Sequence, residues 1–290
     1  MTGPYPGEEV RPLEGRVAAV IGASRGIGRG VAFELGAAGA VVVAAGRTLD
    51  PSAGAVGCLR DTVESVTALG SRALAVRCDA TDHTQLAKLF DRIRAETGGL
   101  DILVNAAFDT PGFRSSIGVP FWELPVSIWD DVVDLGTRSV YWACVAAAPL
   151  LLEGGGGLIV NISGRGAEAY RYNVAYGVGK AALDRMTRDM AHELRDRKVA
   201  VVSLWPGTTR TEHIDAMLAR GDAWAQANVG DVERMETPRY LGRCVVALAC
   251  DDEVMARSGR RFWTAELARD YQVTDEYGRR HPIPSPDQAS

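Results

Sequence analysis

The sequence predicts a single Rossmann-like α/β fold, a doubly wound parallel sheet with helices on both faces. Three observations predict it. Short runs rich in β-branched residues alternate with longer alanine-rich segments of helical period. The runs are apolar nearly throughout, as strands covered on both faces must be. The first run leads into a glycine-rich turn and then a helix, the opening of a βαβ unit.

The first strand is expected at 16–22 (RVAAVIG), followed by a helix over 26–38, a second strand at 41–46 (VVVAAG) and a third at 73–78 (ALAVRC). A fourth strand at 101–107 (DILVNAA) and a fifth at 158–163 (LIVNIS) flank a long helix from Ser127 to Leu152. The glycines at 154–157 precede a strand and open no helix, so they are expected to end the long helix and turn the chain. A helix over 176–194 and a sixth strand at 199–205 (VAVVSLW) complete the alternation. Residues 207–232 lack a clear period and hold charged and small residues, the pattern of a mobile substrate lid. The organisation is thus an N-terminal tail, 1–14, one domain, 15–280, and a disordered C-terminal tail, 281–290.

A chain of 290 residues, 47% of them hydrophobic, can fill one large α/β core. A net charge of −5 exerts no long-range pull on phosphate backbones or anionic lipid, so neither nucleic acid nor membrane is expected as a partner. Cys58, Cys78, Cys144, Cys244 and Cys250 form no CxxC pair and fit reduced, small core residues. His83, His192, His213 and His281 never fall at i, i+4, so no metal site is expected. The start has acids and prolines where a signal peptide needs a basic, then apolar, run, and the nearly uncharged stretch Val140–Leu152 is too short to span a bilayer. A cytoplasmic protein is expected.

In 22–28 (GASRGIG) the glycines Gly22, Gly26 and Gly28 alternate with Ser24, Arg25 and Ile27 in a strand-to-helix turn. Glycines there adopt positive φ and let backbone approach a pyrophosphate, while the helix start supplies N–H donors. The second strand ends at Gly46, Arg47 and Thr48, where an NAD site would carry a carboxylate for the ribose hydroxyls. Arg47, with Arg25 as a second cation, suits a 2′-phosphate, so NADP(H) is expected over NAD(H); the alternative leaves both arginines as solvated surface groups.

Tyr176 and Lys180, four apart on a helix, share one face at about 6 Å. An ammonium there favours the phenolate and brings a tyrosine of pKa about 10 toward the working range of an acid/base. Ser163 closes the fifth strand, where its hydroxyl can bind a substrate oxygen at the carboxyl edge of the sheet. Singly, each is an ordinary turn or packing residue; the combination carries the chemistry.

The GxxxGxG turn, the Ser, and a YxxxK placed 176 − 163 = 13 residues after it resemble the short-chain dehydrogenase/reductase family, over roughly residues 15 to 280. The resemblance implies Tyr176 as acid/base, Ser163 as binder of the substrate oxygen, and Lys180 holding the nicotinamide ribose while lowering the Tyr176 pKa. It implies further that Pro206, Gly207, Thr209 and Thr211 contact the nicotinamide, that Asp79 and Ala80 lie beside the adenine, and that Asn105, Ala106 and Ala107 belong to the cofactor site. Segments 121–142, 203–207 and 267–279 are similar to a branch whose members reduce steroid, retinoid and xenobiotic carbonyls, implying a fairly apolar ketone. By the same resemblance, helices 127–152 and 176–194 would pair copies into a homodimer or homotetramer.

Three departures stand out. Ile21 replaces the usual Thr; the NNAG segment reads NAAF at 105–108, so that a flexible glycine gives way to alanine and Phe108 caps the pocket; and Gly136 aligns with the family's Asn, which supports a water beside the Lys. A functioning but modest enzyme is expected, with a catalytically weak NADP(H)-binding sensor or scaffold as the alternative. An enoyl reductase would space its Tyr and Lys more widely. The pocket is expected to be lined from 164–175, which offers Arg165, Tyr170, Arg171 and Tyr172, with Phe108 and Trp205 as further wall.

Overall fold

Runs rich in Val and Ala become strands with no solvent-facing side: all residues of Val17–Ile21 and of Val199–Trp205, Ser203 included, are buried. The computed structural model describes residues 11–51, 56–108, 111–222, 225–226 and 229–284. In chain order its elements are β1 (Val17–Ile21), α1 (Gly26–Ala37), β2 (Val41–Gly46), α2 (Leu59–Thr67), β3 (Ala73–Arg77), α3 (His83–Thr97), β4 (Ile102–Asn105) and α4 (Pro111–Ser115). A π-helical turn (Asp130–Arg138) then leads into α5 (Ser139–Glu153), β5 (Gly157–Ile162), α6 (Val174–Leu194) and β6 (Val199–Trp205). The chain closes with α7 (Glu212–Ala219), α8 (Pro238–Ala249), β7 (Arg261–Trp263) and α9 (Thr264–Asp270). The alternation is that of the Rossmann-like class predicted.

The chain divides into two compact units. The first comprises Met1–Arg77, Pro206–Asp251 and Trp263–Ile283. Its strands run β3-β2-β1, all parallel, with Val17 opposite Val41 and Val42 opposite Ala73. α1 and α8 meet backbone to backbone: a Cβ on Gly30 would come within 2.4 Å of the Pro238 carbonyl carbon, and one on Gly242 within 2.7 Å of the Gly30 oxygen. Between them the buried Glu34 is bracketed by Arg239 (2.6 Å) and Arg243 (3.4 Å), so its charge is paired.

Of the N-terminal tail, residues 1–10 lie outside the described residues, but Leu13 is fully buried and its N–H donates to Ala38 O at 2.8 Å. Of the C-terminal tail, 285–290 lie outside the described residues, while the His281 ring packs on Tyr240 at 4.8 Å and meets Asp275 at 3.2 Å. Both tail boundaries therefore fall nearer the termini than the sequence implied. The segment expected to be an aperiodic lid contains a helix, α7, whose N-cap Thr211 accepts from Ile214 N–H; residues 223–224 and 227–228 of that segment lie outside the described residues.

The second unit comprises Cys78–Trp205, Asp252–Phe262 and Pro284–Ser290. β4, β5 and β6 pair in parallel, with Ile102 opposite Leu158 and Gly157 opposite Val199, and β7 follows β6 at the edge. That seventh strand was not expected; at three residues it is too short for any alternation to show. The long helix expected over 127–152 is two elements, because the chain first makes the π-helical turn, and with α5 it covers the 24 residues Asp130–Glu153. By length and composition that span is enough to cross a membrane, although half of its most apolar window is buried and α5 packs on α3. Gly155 (φ +80°) and Gly156 (φ +153°) turn the chain into β5, the structural role expected of the glycine tract. α6 begins two residues before Tyr176, since the Asn173 side chain caps it by accepting from Tyr176 N–H at 2.9 Å. Four of the five cysteines are buried as expected; Cys250 is exposed.

Gly30→Ala should lower the unfolding free energy by about 1–3 kcal/mol, because the added methyl meets α8 backbone that cannot rotate away. Gly99→Ala, which meets nothing within 4 Å, is the control, and urea denaturation of both checks the expectation.

Candidate active site

The end of β5 and the first turns of α6 bring Ser163, Tyr176 and Lys180 together. Ser163 is buried; its N–H donates to Leu204 O at 3.0 Å and its hydroxyl to Lys180 O at 3.3 Å. The Tyr176 ring lies on bare backbone: a Cβ on Gly164 would stand 3.0 Å from the phenol oxygen, and one on Gly166 only 2.4 Å from Cε1. Lys180, 6% exposed, donates from Nζ to Ile162 O at 3.1 Å and lies 5.7 Å from the centre of the Tyr176 ring.

Around the phenol the rings are dense. Phe113 stacks on Tyr176 (5.4 Å, 27°), while Tyr172 (5.0 Å) and Phe108 (5.8 Å) meet it edge to face. Burial therefore pushes the Tyr176 phenol well above its ordinary pKa, Tyr172 adds to the rise, and Arg171 opposes it. Burial likewise draws the Lys180 ammonium down to about 8 against the pull of Asp184. The sequence argument expected Lys180 to lower the Tyr176 pKa; in this structure desolvation dominates, and the charge that opposes it is that of Arg171.

Among the residues expected to line the pocket, Tyr170 requires correction: its ring is 73% exposed and its hydroxyl donates to Tyr172 O at 3.4 Å. Tyr172 takes the inward place because its backbone is left-handed (φ +61°), which reverses the side-chain direction expected of an extended chain. Trp205 is also no pocket wall; it is fully buried, its Nε1 donates to Asp184 at 3.1 Å, and Arg261 covers its ring at 4.7 Å. Arg165 is half-buried at the start of the short turn Arg165–Ala167. Phe108 rests over Gly136, its Cδ2 being 3.6 Å from where a Cβ on that glycine would lie.

The glycine turn lies in the first unit. Gly22 (φ +91°) and Gly26 (φ +53°) are left-handed, and a Cβ on Gly28 would overlap Gly22 O at 2.2 Å. Ser24 is buried, Ile27 continues the helix start, and Arg25 precedes α1 without a capping side chain. Gly26 N–H donates to the Glu212 carboxylate at 2.8 Å, with Arg29 3.7 Å from the same group. The turn thus already holds one anionic group at the start of α1, as its donors and dipole favour. Arg47 is exposed at the end of β2, and Thr48 O accepts from Leu59 N–H at 2.9 Å.

Farther along the first unit, Gly207 N–H, after Pro206, donates to the buried Glu236 carboxylate at 2.9 Å, and Thr209 Oγ1 donates to Gly207 O at 3.1 Å. Burial raises the Glu236 pKa to about 7, against hydrogen bonds from Gly207 and Thr264. In the second unit, Asp79 accepts from the Thr81 hydroxyl at 2.8 Å beside the buried Ala80. Asn105 Nδ2 donates to Asn161 at 2.9 Å while its buried Oδ1 has no partner among the described residues, and the half-buried Ala106 and Ala107 follow it. Taken position by position, it is Phe108 that stands at the last place of the NNAG pattern.

The sequence argument placed Gly164, Gly166 and Asn173 in the pocket-lining segment without giving them a part, and it missed Phe113, Glu212 and Glu236. Only Asn173 carried a signal, as an N-cap residue three before Tyr176.

Residues 16–220 match the family model described as short chain dehydrogenase. The chain is 41% identical to dehydrogenase/reductase SDR family member 1 of Mus musculus over 93% of this chain and 86% of the relative. It is 29% identical to 7alpha-hydroxysteroid dehydrogenase of Escherichia coli, over 81% of this chain and 88% of that one. Among solved structures, a short-chain type dehydrogenase/reductase from Mycobacterium marinum superposes with a TM-score of 0.73 at 27% identity, covering 88% of this chain and 96% of that one.

Glu236 stays protonated in the folded chain up to about pH 7, whereas its ordinary value is 4.5. The stability it contributes is therefore full below pH 4.5 and declines as pH rises to about 7. Glu236→Gln should flatten that part of a Tm-against-pH curve recorded by calorimetry; an unchanged slope would count against a neutral, buried Glu236.

Proposed function

Because the chain belongs to the short-chain dehydrogenase/reductase family, we propose that it is an NADP(H)-dependent oxidoreductase that interconverts a carbonyl and an alcohol on a fairly apolar substrate. The observation that carries this is the buried cluster of Ser163, Tyr176 and Lys180. A bound nicotinamide supplies or accepts the hydride. Tyr176 gives its phenolic proton to the carbonyl oxygen in reduction, and Ser163 hydrogen-bonds that oxygen. Lys180 binds the nicotinamide ribose. A phenol held protonated by burial is ready as a donor, so the resting site suits reduction; oxidation first needs the phenolate.

Gly22, Ser24, Arg25, Gly26, Ile27 and Gly28 would cradle the pyrophosphate. Arg47, exposed where a carboxylate would select NAD(H), supports the choice of NADP(H), with Thr48 next to it in sequence and Arg25 in the glycine turn as a second cation. Asp79, Ala80, Asn105, Ala106 and Ala107 are assigned to the cofactor with Pro206, Gly207, Thr209 and Thr211. Glu212 occupies Gly26 N–H, a donor that would otherwise serve a pyrophosphate held at this turn, so Glu212→Gln should tighten cofactor binding. The rings of Phe108, Phe113 and Tyr172 beside Tyr176 favour a flat apolar substrate, consistent with a relative named for a hydroxysteroid. The exposed stripe of Tyr141, Val145 and Leu152 on α5, with Val174 and Val178 on α6, favours a homodimer or homotetramer built through those helices. A cytoplasmic location fits the unpaired cysteines.

The second reading, a catalytically weak NADP(H)-binding sensor, draws on the burial of Tyr176. The two separate on one experiment: oxidation of NADPH and NADH by the purified protein with a panel of ketones, aldehydes and quinones. Turnover with NADPH should fall at least about 100-fold in Tyr176→Phe with NADPH affinity retained. Arg47→Ala should raise the NADPH Kd about tenfold and leave that of NADH unchanged. Tight NADPH binding without turnover on any substrate would favour the sensor, and no nucleotide binding would overturn both.

A further inference from the structure

Two departures from the family pattern meet in space. Phe108 ends the segment that in the family ends in glycine, and Gly136 stands where the long helix usually carries asparagine. Gly136 is buried in the π-helical turn, and a Cβ there would lie 3.6 Å from Cδ2 and 3.7 Å from Cε2 of Phe108. The ring therefore rests on bare backbone, in the direction a side chain at 136 would extend.

The same ring covers Lys180, whose Nζ is 4.5 Å from its centroid. An ammonium carries three donors, yet among the described residues Nζ has one acceptor, Ile162 O at 3.1 Å. Asp184, the carboxylate whose charge acts on Lys180, has its oxygens engaged by Ser203 Oγ (2.6 Å) and Trp205 Nε1 (3.1 Å). A buried cation so poorly bonded needs another source of stabilisation, and the negative face of an aromatic ring within about 6 Å supplies it. Phe108 is itself fixed edge to face by Phe113 at 5.0 Å and Tyr176 at 5.8 Å.

We propose that Phe108 is a positioning residue for Lys180: seated on Gly136, its ring holds the ammonium through its π face and closes the side of Lys180 that faces position 136 against water. Phe108 and Gly136 then act as one unit, replacing the asparagine-supported water with a dry contact. The catalytic meaning of this contact rests on the oxidoreductase function proposed above; the contact does not.

The test exploits the lysine count. The chain has three lysines, Lys88, Lys180 and Lys198, so protein labelled with 13C at lysine Cε gives three signals in the cofactor-free state, and Lys180→Arg assigns one of them. In the wild type the Lys180 ε-protons should lie upfield of the other two through the Phe108 ring current. Phe108→Leu, which keeps apolar bulk without a π face, should abolish that shift and lower the Lys180 pKa by about one pH unit. Phe108→Tyr should retain both. Gly136→Asn should displace the ring and lose the shift, and Phe108→Tyr shows that position 108 accepts substitution without unfolding. A Lys180 signal with no upfield shift, or one unmoved by Phe108→Leu, overturns the proposal. If these spectra hold while no carbonyl supports NADPH oxidation, the oxidoreductase function fails and the positioning role stands; Tyr176-dependent turnover with unmoved spectra gives the reverse.

Discussion

A phenol ring laid directly on peptide backbone sets the terms for this site. Gly164 and Gly166 leave no room for a Cβ beneath Tyr176, so the ring sits against the strand end that presents Ser163, and α6 must start where it does for Tyr176 to reach that bed. Asn173 fixes that start by capping the helix on Tyr176 N–H. With Tyr176 placed, Lys180 follows one turn later, and its Nζ reaches back to Ile162 O on β5. The spacing of thirteen between Ser163 and Tyr176 is thus the length of chain needed to leave the strand, pass the two glycines and enter a capped helix.

Dehydration then governs the electrostatics. The rings that hold Tyr176 also strip water from it and from Lys180, moving the phenol up and the ammonium down, each toward its neutral form. The phenol is thereby held neutral, while Lys180, drawn down only to about 8, keeps its proton at neutral pH and is held by one hydrogen bond and an aromatic face. The glycine turn follows the opposite principle. Its backbone donors are kept available by left-handed glycines and attract a carboxylate from 186 residues away, Glu212.

What the sequence revealed were features with local causes. Strands buried on both faces announce themselves by composition, the glycine turn by its place after β1, and the chemistry-bearing trio by spacing. What stayed hidden depends on dihedral angles or distant partners. Tyr172 and Tyr170 are chemically equivalent in the sequence, and the folded backbone, left-handed at 172, separates the inward ring from the exposed one. Glu236 lies 29 residues from Gly207, and Trp205 looked like a pocket residue because its partner Asp184 is 21 residues back on another element. β7 was too short to register.

The π-helical turn at Asp130–Arg138 has a consequence for how such chains are compared. A wider turn holds more residues per revolution than the α-helix that follows, so it changes the angular phase between the two segments. Gly136 faces inward on one phase and the stripe of Tyr141, Val145 and Leu152 faces outward on another. At about 100° per residue, Gly136 and the stripe nonetheless fall on opposite sides of one continuous helical wheel, so an alignment can be drawn straight across residue 138 and a change on the exposed stripe leaves the packing at Gly136 untouched.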